Sequence, residues 1–209
     1  MIVGLTGGYC AGKDTVARFL AARGLRILDV DSLGHEALAQ KADEVIARFG
    51  ESVRAADGMV DRRAIGKLVF SDPTALARLE AIVHPVMVKK AEAIAAAHIG
   101  ELVINAAILH HMGLHALCDA VICVTAPLSI RVLRGIRRDR LSFQEALARA
   151  RSQHKVRAQC NASGVDTYYV RNRGGAHSLE RRVAGVLRQM QREWSSGPTT
   201  GRYSGPTRG

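Results

Sequence analysis

Met1-Ile2-Val3-Gly4-Leu5-Thr6-Gly7-Gly8-Tyr9-Cys10-Ala11-Gly12-Lys13-Asp14-Thr15 is the stretch whose reading decides the fold. Residues 2–6 are a short apolar run of buried-strand type, and Val16, Phe19 and Leu20 begin an apolar stripe at helical spacing. Between them, Gly7, Gly12 and Lys13 make the GxxxxGK spacing of a phosphate-cradling loop. Glycines let the backbone curl around an anion. Successive N–H groups and the helix N-terminus then point at it, and the lysine ammonium reaches the β/γ oxygens. The expectation is a nucleoside-triphosphate site built from Gly8, Cys10, Ala11, Gly12, Lys13, Asp14 and Thr15.

One position departs from that pattern. The residue after the lysine is usually Ser or Thr, whose hydroxyl holds Mg²⁺. Here it is Asp14, with Thr15 one step later. Two readings stand: Asp14 and Thr15 supply oxygen ligands to Mg²⁺, or Asp14 only complements the positive end of the helix.

With 209 residues, 47% of them hydrophobic, the chain can bury a core of its own, as one α/β domain with inserted subdomains. No apolar run approaches membrane-spanning length, and the chain enters a strand with no basic-then-apolar leader, so a cytoplasmic protein is expected. Cys10, Cys118, Cys123 and Cys160 show neither CxxC nor Cys/His ligand spacing, which argues against disulfides and zinc. His110, His111 and His115 lie close together in sequence with no acidic neighbour, a weak case for a metal. The net charge of +11 is concentrated in residues 131–192, which carry fifteen Lys or Arg against Asp139, Glu145, Asp166 and Glu180. Such a segment opposite a phosphate loop suits a multiply phosphorylated ligand; charge alone leaves nucleic acid as the rival polyanion.

Further strands are expected at residues 26–29, 102–104, 120–124 and 168–170. The helices between them are expected at 36–49, 62–70 and 73–98, with a kink or break at His84-Pro85. More follow at 127–138, from the Ser142/Glu145 capping pair through His154, and at 178–194. Strands separated by helices argue for a parallel sheet covered on both faces. Ligands of such sheets gather at the carboxyl ends of the strands, which brings Lys13, Asp31 and Asn105 to one edge.

Several stretches together resemble dephospho-CoA kinase, a P-loop kinase family, in the same order over most of residues 1–194. They are the opening LTGG…GK, the Asp29-Val30-Asp31 after strand two, Leu79-Glu80-Ala81-Ile82-Val83-His84-Pro85, Arg138-Asp139-Arg140-Leu141-Ser142 and Gln153. The resemblance implies an adenylate-kinase-like P-loop core with a parallel five-stranded sheet flanked by helices, from residues 1–31, 101–133 and 165–194. It also implies a helical acceptor domain at 32–100 and a lid at 134–164, with 195–209 left as a disordered tail. The implied reaction is ATP- and Mg²⁺-dependent phosphorylation of the ribose 3′-hydroxyl of dephospho-CoA, giving coenzyme A and ADP.

Carried over by position, Lys13 meets the β/γ-phosphates and Asp31 is the general base facing the 3′-hydroxyl. Arg138 and Arg140 close over ATP, and His84 falls on the acceptor side. The residues alone leave other readings open. Asp31 could cap the following helix, His84 could serve packing, and three arginines at 137, 138 and 140 could all face water. After strand three the family's acidic residue, proline and glutamate are missing from Asn105-Ala106-Ala107-Ile108-Leu109-His110-His111, and His35 replaces a common arginine. These departures keep two rivals in view: another small-molecule or nucleotide kinase of the same core, and a non-catalytic nucleotide- or nucleic-acid-binding protein. Membrane and nucleic-acid partners are not expected, and the oligomeric state is left open.

Overall fold

A computed structural model describes residues 1–153 and 155–195. Five strands, β1 (Ile2–Gly7), β2 (Arg26–Asp29), β3 (Leu102–Asn105), β4 (Ala120–Thr125) and β5 (Thr167–Arg171), form one sheet in the order β2-β3-β1-β4-β5. All four pairings are parallel; β1 runs beside β3 with Leu5 opposite Asn105, and beside β4 with Gly7 opposite Val124. Strands this apolar belong in a sheet buried on both faces.

The strand period of two divides the core. Val3, Leu5, Val103 and Ile122 face one side, where α1 (Lys13–Ala21) and α9 (Ala176–Ser195) cover them with Val16, Leu20, Leu179 and Val183. Leu102, Ile104 and Val121 face the other, under α2 (Val30–Gln40) and α5 (Pro73–Ala97), which contribute Leu33, Ala37, Val83 and Met87. A satellite core around Val45, Ile46, Ile65 and Val69 joins α3 (Ala42–Phe49) and α4 (Arg62–Ser71) to α5. The basic segment opens with α6 (Leu128–Asp139), α7 (Phe143–Ser152) and α8 (Val156–Ala162) and runs on through β5 into α9; Val132, Ala146 and Ala150 pack α6 on α7.

The structure corrects several expectations. The helix expected at 36–49 is two helices, α2 and α3, separated at Lys41 (φ −106°, ψ 18°), and α2 begins directly after β2. No break falls at His84-Pro85: α5 runs through Pro85 for 25 residues. Burial of Val83, Met87, Ala91 and Ala95 along one face offsets the hydrogen bond that proline removes. The capping box at Ser142 and Glu145 is present, but α7 ends at Ser152, and His154 lies outside the described residues. The last helix starts at Ala176 and includes Ser195; the rest of the expected tail also lies outside the described residues. No helix among the described residues is long and apolar enough to cross a membrane.

Candidate active site

At the carboxyl end of β1 the chain folds back on itself, with the Ala11 N–H donating to the Gly8 carbonyl at 2.9 Å. Cys10 (φ 54°) and Gly12 (φ 102°) take left-handed backbone conformations, which turn successive N–H groups inward. Gly12 is the N-cap of α1 and brings no capping side chain, so the first N–H groups of the helix remain available to an anion. This loop floors a cleft of about 670 Å³ that also reaches Asp31, Arg134, Arg138, Gln153 and Asn172.

Four polar side chains are buried among the described residues: Thr6, Lys13, Asn105 and Asn172. All gather at this end of the sheet. Burying polar groups is costly unless they are paired, so their concentration marks a site and not a fold requirement. Lys13, 9% exposed, reaches Asn105 Oδ1 at 2.8 Å, Asp14 Oδ1 at 3.2 Å and Asp31 Oδ2 at 3.5 Å. The ammonium is thereby held in the cleft by three acceptors, the Asn105 contact being the shortest.

Asp31 is not a helix cap. Asp29 holds that position, its carboxylate accepting the Asp31 N–H at 3.1 Å. The Asp31 carboxylate is therefore not occupied in capping; its side chain is 54% exposed and faces Lys13. The Asp-Val-Asp spacing separates the two tasks. The first acid fixes the helix, and the second projects from its first turn into the cleft.

The arginines at the end of α6 differ from one another. Arg138 lines the cleft, holds Asp139 through Nε (2.8 Å) and Nη2 (3.1 Å), and lies 5.4 Å from the centre of the Tyr9 ring. The Tyr9 hydroxyl donates to the same carboxylate. Arg138 first, and then Tyr9, holds Asp139 down at about 2 from its ordinary 3.8, while burial and Asp139 push Tyr9 up to about 12. Arg140 ends α6 in a left-handed turn (φ 54°), is exposed, and does not line the cleft. Of the arginines at 137, 138 and 140, the first two line the cleft and Arg140 does not.

Three further residues escaped sequence reading. Arg134 reaches the Ala11 carbonyl (3.4 Å) and Asn172 Oδ1 (3.1 Å). Asn172, 5% exposed, donates from Nδ2 to Ala11 O at 2.8 Å. Arg131 donates to the Tyr9 carbonyl at 2.7 Å. Signals existed for two of them: Arg134 precedes Arg138 by one helical turn, and Asn172 follows β5 at the sheet edge where ligands gather. Gln153 Oε1, buried without a partner among the described residues, offers an acceptor at the cleft wall. His84 does not line this cleft. It sits beside His111, with ring centres 5.9 Å apart, and His111 Nε2 lies 3.6 Å from Glu80 Oε2, so the histidine cluster does have an acidic neighbour.

Known proteins are similar to this chain over most of its length. A family model described as dephospho-CoA kinase matches residues 1–176. Dephospho-CoA kinase of Moorella thermoacetica is 34% identical over 208 residues, covering 96% of this chain and 97% of its own, and that of Anaeromyxobacter dehalogenans is 36% identical, covering 91% and 92%. Among solved structures, TT1252 from Thermus thermophilus superposes with a TM-score of 0.74 at 34% identity, over 91% of this chain and 97% of that one. A shikimate kinase from Acinetobacter baumannii (TM-score 0.52, 15% identity, 91% and 93% covered) shares the fold.

Proposed function

The chain belongs to the dephospho-CoA kinase family, and from that premise we propose how its residues divide the phosphoryl transfer. It is a transferase that phosphorylates dephospho-CoA in coenzyme A biosynthesis. In our reading the donor is ATP, held by the loop from Gly8 to Thr15, and the acceptor is the ribose 3′-hydroxyl. Residues 32–100, with His84 on α5, form the acceptor side, and residues 134–164 form the lid.

The observation that carries this reading is the Asp31 carboxylate, released from capping by Asp29 and set 3.5 Å from Lys13 at the mouth of the phosphate loop. Phosphoryl transfer asks for in-line positioning and neutralised charge more than for covalent chemistry. Asp31 orients the acceptor hydroxyl and takes its proton late. Lys13 exchanges Asp14 and Asp31 for β/γ oxygens while Asn105, a neutral anchor, keeps it in the cleft. Arg138 leaves Asp139 to meet the transferring charge as the lid closes.

Mg²⁺ fits the donor set: Asp14, whose side chain is 71% exposed beside Lys13, and the neighbouring Thr15 hydroxyl offer hard oxygen ligands next to the phosphate cradle. When bound, the ion neutralises charge on the β- and γ-phosphates. The basic segment also has a local use. Arg131, Arg134 and Arg138 are committed to the loop and cleft, which favours a nucleotide over nucleic acid as its polyanion. Purified protein with Mg-ATP and a panel of acceptors tests the reading by ADP release and product mass. Turnover on dephospho-CoA alone is expected; turnover only on another acceptor would overturn the substrate assignment, and none at all the catalytic one.

A further inference from the structure

On the acceptor side, away from the nucleotide cleft, Glu80, His84 and His111 bring one ligand atom each within 4.8 Å of one another. They form the one such group of three among the described residues. Two different parts of the chain build it. Glu80 and His84 are four residues apart on α5 and so share a helix face. His111 comes from the turn after β3, in the His110-His111 pair that stands where the family resemblance leads one to expect a glutamate.

The geometry suits a shared ion better than a direct contact. His111 Nε2 and Glu80 Oε2 are 3.6 Å apart, long for a hydrogen bond. Two ligands each about 2.0–2.1 Å from one tetrahedral ion sit roughly 3.3 Å apart, close to that gap. The His84 and His111 rings meet edge to face at an interplanar angle of 81°, a contact that sets the two imidazoles side by side next to the Glu80 carboxylate. A shared ion needs χ rotations that draw these three atoms, now within 4.8 Å of one another, onto one centre, and none of the three side chains is buried.

We propose that Glu80, His84 and His111 bind a divalent transition-metal ion of the zinc class, clasping α5 to the turn after β3 and leaving one coordination position to water. Two imidazole nitrogens and one carboxylate oxygen make a borderline donor set that suits Zn²⁺ and its neighbours and not Mg²⁺, which prefers oxygen ligands alone. The proposal is independent of the kinase assignment, because binding is read without nucleotide or turnover.

The full chain, freed of metal and kept in excess Mg²⁺ to fill sites for hard cations, is titrated with Zn²⁺ by calorimetry and with Co²⁺ by visible absorption. One equivalent is expected, with the visible bands of a four- or five-coordinate Co²⁺. His111→Ala and Glu80→Gln should each lose at least the ~10–100-fold in affinity that even an outer-shell partner commands. His110→Ala, which alters the neighbouring histidine, should bind as wild type does. Far-UV circular dichroism checks each fold, and the milder Glu80→Gln carries the test if His111→Ala does not fold. Absence of stoichiometric binding to the wild-type chain, or equal binding by Glu80→Gln, overturns the proposal.

Discussion

Gly12→Ala should damage the nucleotide site through a second residue, Asn172, and a double-mutant cycle can show it. At φ 102° an alanine is strained by about 1–2 kcal/mol, because its Cβ crowds the following carbonyl. The new Cβ would also lie 2.2 Å from Asn172 Nδ2, so Asn172 must move. Its side chain then loses the 2.8 Å bond to Ala11 O and the 3.1 Å bond from Arg134, together about 2 kcal/mol after water re-solvates the half-buried guanidinium. Gly12→Ala should therefore cost about 3–4 kcal/mol and Asn172→Ala about 2 kcal/mol. With Asn172 already truncated, the glycine change should cost only the strain, so the double variant falls short of additivity by about 2 kcal/mol. Urea unfolding with unchanged m-values reads the cycle, and affinity for a non-hydrolysable ATP analogue should fall in both single variants. Additivity to within ~0.5 kcal/mol would refute the idea that Asn172 props the phosphate loop.

Other expectations concern the basic helix α6. Arg138→Ala should lower kcat by about 10²-fold, the scale of removing one group that stabilises developing charge, whereas Arg140→Ala should lose much less; steady-state kinetics on both separates them. Because Asp139 is depressed to about 2 from 3.8, its contribution to stability is full above pH 3.8 and is lost as pH falls through about 2. The stability gap between wild type and Asp139→Asn, measured by urea unfolding, should be constant near neutrality and close across that acid window. Arg134→Ala removes the donor to Asn172 Oδ1 and one donor to the Ala11 carbonyl, and should weaken nucleotide binding roughly tenfold, the scale of one charge-assisted hydrogen bond, with acceptor KM little changed. Equal losses for donor and acceptor in a full kinetic matrix would argue against that role.

The sequence is most informative where local rules and function agree. The run from Ile2 to Leu20 announces strand, loop and helix because each element carries its own signal, and the carboxyl-end rule brings Lys13, Asp31 and Asn105 together without coordinates. Asp29 and Asp31 are harder. Either could cap α2, and the choice depends on where the helix begins, a boundary that patterning leaves uncertain by a residue or two. Pro85 misleads for a different reason: proline's penalty is local, while the packing that holds α5 together comes from distant strands. Arg134 and Asn172 carry only positional signals, because each also bonds a backbone carbonyl of the loop, which has no side-chain signature. The pairing of Glu80 with His111 crosses from α5 to the turn after β3, a contact that only tertiary structure supplies.

The central claim is that Asp31 acts on the acceptor hydroxyl, and Asp31→Asn tests it most directly. The amide keeps the size and an acceptor oxygen but cannot readily take a proton, and Asp29 still caps α2 in the variant. Single-turnover transfer of labelled phosphate from ATP to dephospho-CoA should slow by about 10²–10⁴-fold, as for a positioned general base, with ATP-analogue affinity and melting temperature close to wild type. Undiminished transfer, accompanied only by a lower melting temperature, would contradict the account and return Asp31 to a structural role.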